Sequence, residues 1–374
     1  MRAKNMSNMT ITSIPANMPV TGSARLRVEW PTWALVVAIY GGWMALTYWC
    51  NVLPWWFVLP AGAWLTAWQM SLQHEIIHGH PTKNTWINTA LGFPPLSLWL
   101  PCQRYRQLHL AHHRNHLLTD PIEDPESYYV SAEDWSRRGR VAKAATRILN
   151  TSAGRILFNP LVAIPRFLIH DGKALLGNSA KLRRIWGVHA LGVAAVLLWV
   201  LAVCGIPFWQ YVVFFVYPGF SLASLRAFAE HRAAALPDHR TAIVESTPLF
   251  GLLYLYNNLH VIHHDHPAMP WYAIPAYYRA NRADLLRQNH GLVYRGYRDV
   301  VARYLIREHH VPVFGPAAGL QIRPDMAESS ILVTLPQAST NGVEARFSAN
   351  NADRPALPPE PWMRPDLPQQ EWTL

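Results

Sequence analysis

Residues 30–50 (WPTWALVVAIYGGWMALTYWC) contain no charged side chain. A helix rises 1.5 Å per residue, so about 20 apolar residues cross the hydrocarbon core of a bilayer. Residues 55–73 (WWFVLPAGAWLTAWQMSLQ), 185–204 (IWGVHALGVAAVLLWVLAVC) and 207–225 (PFWQYVVFFVYPGFSLASL) repeat the pattern. In lipid, backbone N–H and C=O groups find no water. Such runs must therefore close their hydrogen bonds internally, as helices. Only Asn51–Pro54 and Gly205–Ile206 separate the members of each pair, which makes two antiparallel hairpins. The expected fold class is an all-α integral membrane protein with four transmembrane helices in two hairpins.

The composition agrees. The chain is 51% hydrophobic and 15% charged, where a soluble domain carries about 25% charged residues. Seventeen Trp and 15 Tyr suit the aromatic belts of a membrane interface. A net charge of +10 fits nucleic acid, an anionic membrane or an acidic substrate. The apolar content selects the membrane, and no zinc knuckle, RNA-binding signature or basic helix points to nucleic acid. Neither short turn contains Lys or Arg. All 33 fall in residues 1–29, 74–184 and 226–374, as four, fifteen and fourteen. The positive-inside rule then places both termini and the long middle loop in the cytoplasm.

Cys50, Cys102 and Cys204 form neither a disulfide framework nor a CxxC metal site, and read as apolar filler. The first apolar run is too long for a signal-peptide core. Residues 1–29 read as a cytoplasmic arm, 30–310 as the membrane domain, and 311–374 as a Pro-rich, disordered or loosely docked tail. Residues 86–100, broken by Pro94-Pro95, suit an interfacial or re-entrant piece. Residues 156–169 and 248–262 suit interfacial helices.

Eleven of the 18 histidines lie in three clusters: HEIIHGH (His74, His78, His80), HLAHHRNH (His109, His112, His113, His116) and HVIHHDH (His260, His263, His264, His266). On a helix, positions i, i+3 and i+4 share a face. Each cluster can thus aim two or three imidazoles at one point, and neutral imidazole binds iron, zinc, copper or nickel. Eight such ligands exceed the capacity of one metal, so two metals are expected, gathered in a cytoplasmic helical cap. Isolated histidines (His170, His189, His239, His290) read as ordinary surface or core residues.

Two rivals compete. HEIIH matches H-E-x-x-H, the zinc-protease pattern, but a membrane zinc metalloprotease leaves both HxxHH clusters unexplained. A metal transporter would place ionisable residues within its spans, where His189 is the sole histidine.

The three boxes, ordered hairpin–loop–hairpin over about residues 30–310, resemble the membrane fatty acid desaturase superfamily. HEIIHGHPT and LLTDPIEDPESYY are especially similar to bacterial members. The superfamily also includes alkane hydroxylases, carotenoid ketolases and terminal-alkene-forming decarboxylases. The resemblance implies two Fe ions (Fe2+/Fe3+), O2 as co-substrate, and oxidation of an unactivated C–H bond in a fatty acyl or related lipid chain. Desaturation leads; hydroxylation and oxidative decarboxylation are alternatives on the same scaffold. The implied location is a bacterial inner membrane with the metal site cytoplasmic.

The resemblance also implies a ninth ligand, His231 in RAFAEHR, beside His74, His78, His109, His112, His113, His260, His263 and His264. Acyl-CoA desaturases carry an Asn four residues before that histidine to hold a metal-bound water. This chain has Ala227 there, so Asn257 or Asn258 would have to substitute. His80 is a further candidate ligand or ligand partner. Glu75, Asp120, Asp124, Glu230 and Asp265 are candidates to hydrogen-bond the ligating imidazoles. No HPGG, CxxC or GxGxxG is present. Electrons are therefore expected from a separate ferredoxin, rubredoxin or cytochrome and its reductase. Arg137, Arg138, Arg140 and Lys143 would serve either that carrier or anionic membrane lipids.

Overall fold

The computed structural model describes residues 28–177 and 179–314. The expected arm, apart from Val28 and Glu29, and the expected tail beyond Phe314 lie outside the described residues. What is described is predominantly helical, with one two-stranded sheet.

Helix α1 (Trp30–Tyr48) starts with Pro31 in its first turn, where a missing N–H costs nothing. Helix α2 (Trp55–Ile77) follows Pro54. It runs four residues beyond the expected span and carries His74 on its last turn. Helix α3 (Thr85–Gly92) is capped by Asn84, whose side chain accepts from Trp86 N and Ile87 N. Helices α4 (Cys102–His112), α5 (Ala132–Arg137), α6 (Arg140–Leu149), α7 (Ser152–Leu157) and α8 (Asn159–Leu175) fill the middle loop. The second hairpin is α9 (Ala180–Val203) and α10 (Phe208–Glu230). Gly205, at φ +64°, makes its tight turn.

Both α9 and α10 are long and apolar enough to cross a membrane. α1 and α2, of 19 and 23 residues, are long enough but less apolar, because Trp, Gly, Thr and Gln dilute their aliphatic content. Two of the four expected spans therefore meet the test. Asn51 Nδ2 donates to Cys204 O at 2.8 Å, tying the two short turns together at one end. The ends of α2 and α10 consequently meet at the other.

The helices close over Ile39, Trp43, Val58, Leu72, Tyr211 and Phe215. Close approach of α2 and α10 needs glycine. A Cβ at Gly62 would lie 2.6 Å from Phe214 O, and one at Gly219 would lie 2.5 Å from Thr66 Cβ.

Past α3 the chain is irregular, as Pro94-Pro95 dictates. The carbonyls at the end of α3 and beyond it are nevertheless satisfied from neighbouring helices. Tyr40 Oη donates to Leu91 O, Gln73 Nε2 to Gly92 O, Gln69 Nε2 to Pro94 O, Tyr211 Oη to Leu96 O and His189 Nε2 to Leu98 O. Non-helical backbone among apolar helices persists only when protein supplies such partners. These bonds also give the isolated His189 its structural role.

Residues 248–262 do not form the expected interfacial helix. Helix α11 (Pro248–Leu253) stops where Leu255 and Tyr256 turn to φ +49° and +57°, and Leu253, Tyr254 and Leu255 are buried. The chain then re-enters as α12 (His260–Asp265). Beyond it lie α13 (Ile274–Gln288) and α14 (Tyr297–Tyr304). Strands β1 (Ile243–Val244) and β2 (Val293–Tyr294) pair in parallel. Val244 also exchanges hydrogen bonds with Asn258, Val244 N to Asn258 O and Asn258 Nδ2 to Val244 O, which fixes the approach to α12.

Candidate metal centre

Each histidine box sits on or just beyond a helix end. His74 and His78 come from the end of α2, His109, His112 and His113 from the end of α4, His260, His263 and His264 from α12, and His231 caps α10. Nine imidazoles form two constellations: His74, His78, His109, His113 and His263 in one, His112, His231, His260 and His264 in the other. Within each, the ligating nitrogens all lie within 4.8 Å of one another. His113 and His264 stack between the two, with ring centroids 4.6 Å apart.

The sequence expectation that each box aims at one point is corrected. The first box does, but the other two divide. His109 and His113, four apart, share the first constellation while His112 turns to the second. His260 and His264, four apart, share the second while His263 turns to the first. At 100° per residue, neighbouring helical positions diverge and i,i+4 positions converge. One HxxHH helix thus serves two sites.

Within the first constellation, His78 Nε2 lies 3.0 Å from His109 Nε2, which is 2.9 Å from His113 Nε2, itself 2.9 Å from His263 Nε2. In the second, His231 Nε2 is 3.0 Å from both His112 and His260 Nε2. Several of these rings have their other nitrogen committed. His109 Nδ1 meets Glu126 Oε1 at 3.0 Å, and His112 Nδ1 meets Asp124 Oδ1 at 2.8 Å. His260 Nδ1 faces Asn257 O and Oδ1 at 3.1 Å and Glu230 Oε1 at 3.3 Å. Acceptors at Nδ1 hold the proton there, so in the neutral ring each Nε2 presents a lone pair. Lone pairs converging at 3 Å repel unless a cation lies between them. An imidazole–metal distance of about 2.1 Å gives cis N···N edges of about 3.0 Å in octahedral geometry and about 3.4 Å in tetrahedral. The shortest spacings fall in the range of neighbouring ligands on one metal, and the donor set fits a metal in each constellation.

Burial lowers the basicity of His113, His260, His263 and His264, reinforced by neighbouring imidazoles, lowers that of His109 against the opposing pull of Glu126, and brings His231 down to about 3. Neutral rings are what metal binding requires. His112 departs from the set. Burial lowers its pKa too, but Glu126 and Asp124 outweigh burial and raise it to about 9. The same two histidines beside Glu126, His112 and His109, overcome its desolvation and hold it below the usual carboxylate range.

The other candidates separate clearly. Asp124 and Glu230 reach ligating imidazoles. Asn257 Nδ2 lies 3.4 Å from His74 Nε2 and from Glu230 Oε1, which sets this side chain between the constellations. Asn258 instead holds Val244. Asp120 Oδ1 accepts from Ile122 N and Glu123 N, a local turn. Asp265 meets Gln288 Nε2 at 3.0 and 3.1 Å, and burial lifts its pKa to about 6. His80 Nδ1 meets Glu29 Oε2 at 2.8 Å, outside both constellations, as is His266, which bonds Tyr277 Oη. Glu75 Oε1 accepts from Trp271 N at 2.9 Å and lies 3.8 Å from His80 Nε2. It is thereby turned away from the His74–His78 pair, so the protease reading gains no support.

Three residues escaped the sequence reading: Glu126, Arg226 and Tyr105. Glu126 sits in an irregular loop, where no periodicity signals its direction. Arg226 Nε lies 2.9 Å from Glu230 Oε1, one helical turn away on α10; that i,i+4 spacing was the available signal. The Tyr105 ring lies 5.6 Å from that of His109, one turn earlier on α4.

A helical protein that gathers nine mostly buried imidazoles into two adjoining constellations has the ligand sets from which a histidine-built metal centre is made. The chain belongs to the fatty acid desaturase family, whose model matches residues 51–298. A search of curated proteins finds no match. Membership implies a membrane-associated oxidoreductase that acts on a lipid or acyl chain with an electron donor.

Proposed function

We propose that this protein is an O2-dependent di-iron enzyme that oxidises an unactivated C–H bond of a fatty acyl or related lipid chain, with desaturation as its reaction. The observation that carries the reading is the pair of all-nitrogen constellations, in which neighbouring Nε2 atoms approach to 2.9–3.0 Å. His74, His78, His109, His113 and His263 would hold one iron, and His112, His231, His260 and His264 the other. Iron bound there supplies dioxygen reduction and hydrogen removal.

The protein's own residues prepare that chemistry. Glu126, Asp124 and Asn257 hold His109, His112 and His260 in the Nδ1–H tautomer and fix their ring planes. Arg226 compensates the buried Glu230 carboxylate beside His260. Asn257 takes the place that Ala227 leaves empty and orients a water or substrate oxygen between the constellations. The helices exclude bulk water from an acyl chain and orient it.

The topology follows from the Lys and Arg distribution. Four helices, α1, α2, α9 and α10, span a bacterial inner membrane, with both termini and the metal centre cytoplasmic. A separate ferredoxin, rubredoxin or cytochrome delivers electrons.

The test is iron content of the purified protein combined with the lipid profile of an expressing host, volatile hydrocarbons included. His263→Ala is the control. A double bond formed only by the wild type supports the proposal. A new hydroxyl or terminal alkene would keep the di-iron reading and replace desaturation. Zinc in place of iron would overturn both.

A further inference from the structure

Helix α6, RVAKAATRIL, takes no part in the centre. At 100° per residue, Val141, Ala144, Ala145 and Ile148 fall on one side, and Arg140, Lys143, Thr146 and Arg147 on the other. Part of the polar side, Lys143 and Thr146, is held against the protein, while Arg140 stays exposed at its edge. Lys143 Nζ and the Arg147 guanidinium lie 5.6 and 5.7 Å from the Trp135 ring centroid on α5, and Arg138 Nη1 donates to Thr146 Oγ1 at 2.7 Å. The apolar side therefore points outward, leaving Val141 84% and Ile148 50% exposed. An amphipathic helix of a water-soluble surface does the reverse.

The surroundings indicate what covers this face. α6 leads through α7 into α8, where Asn159 Nδ2 donates to Ser224 Oγ on α10 at 3.0 Å. The start of α8 thus lies within two turns of the end of an apolar helix long enough to span. Leu161, Val162 and Ile169 are exposed along α8, so the apolar surface continues from α6 toward that helix. Among the described residues, Arg147 reaches Glu308 Oε1 at 3.8 Å, whereas Arg140 and Lys143 pair with no carboxylate. An acidic protein partner would need charge at the middle of the outward face, yet that middle is Val141, Ala144, Ala145 and Ile148, with exposed Arg140 only at its edge. Hydrocarbon matches that face, and anionic headgroups match its basic flank.

We propose that α6 is an anionic-lipid anchor. It lies in the headgroup layer of the cytoplasmic leaflet with Val141 and Ile148 in the acyl region and Arg140 and Lys143 at lipid phosphates. The inference rests on the membrane reading of α9 and α10.

The test uses the full chain in nanodiscs of phosphatidylcholine, with and without phosphatidylglycerol. Val141→Cys carries an environment-sensitive fluorophore, and the native cysteines are buried. A nitroxide lipid labelled near the headgroup is the quencher. Leu191→Cys, on the exposed side of α9, reports the span against a deep nitroxide. The Val141 label is expected to shift to the blue and be quenched, more strongly with phosphatidylglycerol. Each basic side chain near an anionic surface is worth about fivefold in partition, so Arg140→Gln/Lys143→Gln should erase the difference between the two lipids. Ile148→Asp should release the label to water without loss of iron. A Val141 label that stays in water, is quenched equally in both lipids, or responds only to an added acidic ferredoxin overturns the anchor. If the Leu191 label is unquenched as well, the membrane reading itself has failed.

Discussion

Two aspartates four residues apart in the loop after α4 should respond oppositely to the same conservative change. Asp124 uses both oxygens. Oδ1 accepts from His112 Nδ1 at 2.8 Å and Glu126 N at 2.9 Å, and Oδ2 accepts from Thr119 N at 2.9 Å. An amide has one acceptor oxygen. In Asp124→Asn, either the NH2 faces Thr119 N–H, or it faces the His112 and Glu126 donors. Each choice strands at least one buried donor, which costs about 1–3 kcal/mol, and the imidazole loses its charged partner. A change to such a partner lowers metal affinity by about 10–100-fold. Asp120 places both of its bonds, to Ile122 N and Glu123 N, on Oδ1. In Asp120→Asn the carbonyl oxygen keeps both, so iron content and stability should stay near wild type. The assay is iron stoichiometry during titration with a competing chelator, alongside thermal unfolding. Asp124→Asn should lose the iron of the His112 constellation first. Equal iron retention by the two variants, or a worse Asp120→Asn, would refute the argument from oxygen usage.

Gly62→Ala should destabilise by about 1–3 kcal/mol, read as a lower melting temperature in detergent. Its Cβ would meet the Phe214 carbonyl, which cannot move aside, whereas Gly41→Ala meets nothing within 4 Å and should be neutral or stabilising. Arg104 Nε donates to Asp171 Oδ2 at 2.9 Å between side chains 9% and 0% exposed. Arg104→Met should therefore cost about 3–5 kcal/mol by leaving a buried carboxylate unpaired. Arg104→Met/Asp171→Leu should recover much of it in the same melt. Arg282 and the Tyr278 hydroxyl hold the Glu245 carboxyl below its usual range. A depressed folded pKa stabilises the fold above the unfolded value and loses that contribution as pH falls through the folded one. Glu245→Gln should thus narrow the stability gap between neutral and mildly acidic pH, by less than about 1 kcal/mol because the pair is part-exposed. An unchanged gap would remove the assignment.

Local periodicity made most of the centre legible. Eight of the nine clustered imidazoles stand at i, i+3 and i+4 positions, which a single helix brings to neighbouring directions whatever surrounds it. His231 stands alone in RAFAEHR and entered through family resemblance. The second group of residues was not legible in the same way. Five carboxylates were candidates by their place in the sequence, yet only Asp124 and Glu230 reach a clustered imidazole, while Glu126 was passed over. Direction in an irregular loop depends on how its turns close. Here Asp124 binds Thr119 N and Glu126 N, and that closure aims Glu126 at His109.

The sequence by itself determined the apolar helices, the charge asymmetry between their two ends, and the three faces of clustered imidazoles. All are consequences of residue type and helical pitch, felt within one or two turns. Only the tertiary structure decided how those faces combine. His112 meets His231 across 119 positions and His263 meets His113 across 150, and those meetings divide two boxes between two constellations. The same holds for Asn257, chosen over its neighbour Asn258 because β1 occupies the latter. Contacts between distant segments are set by which helices can approach, and at α2 and α10 that rests on two glycines without a Cβ to hold the backbones apart.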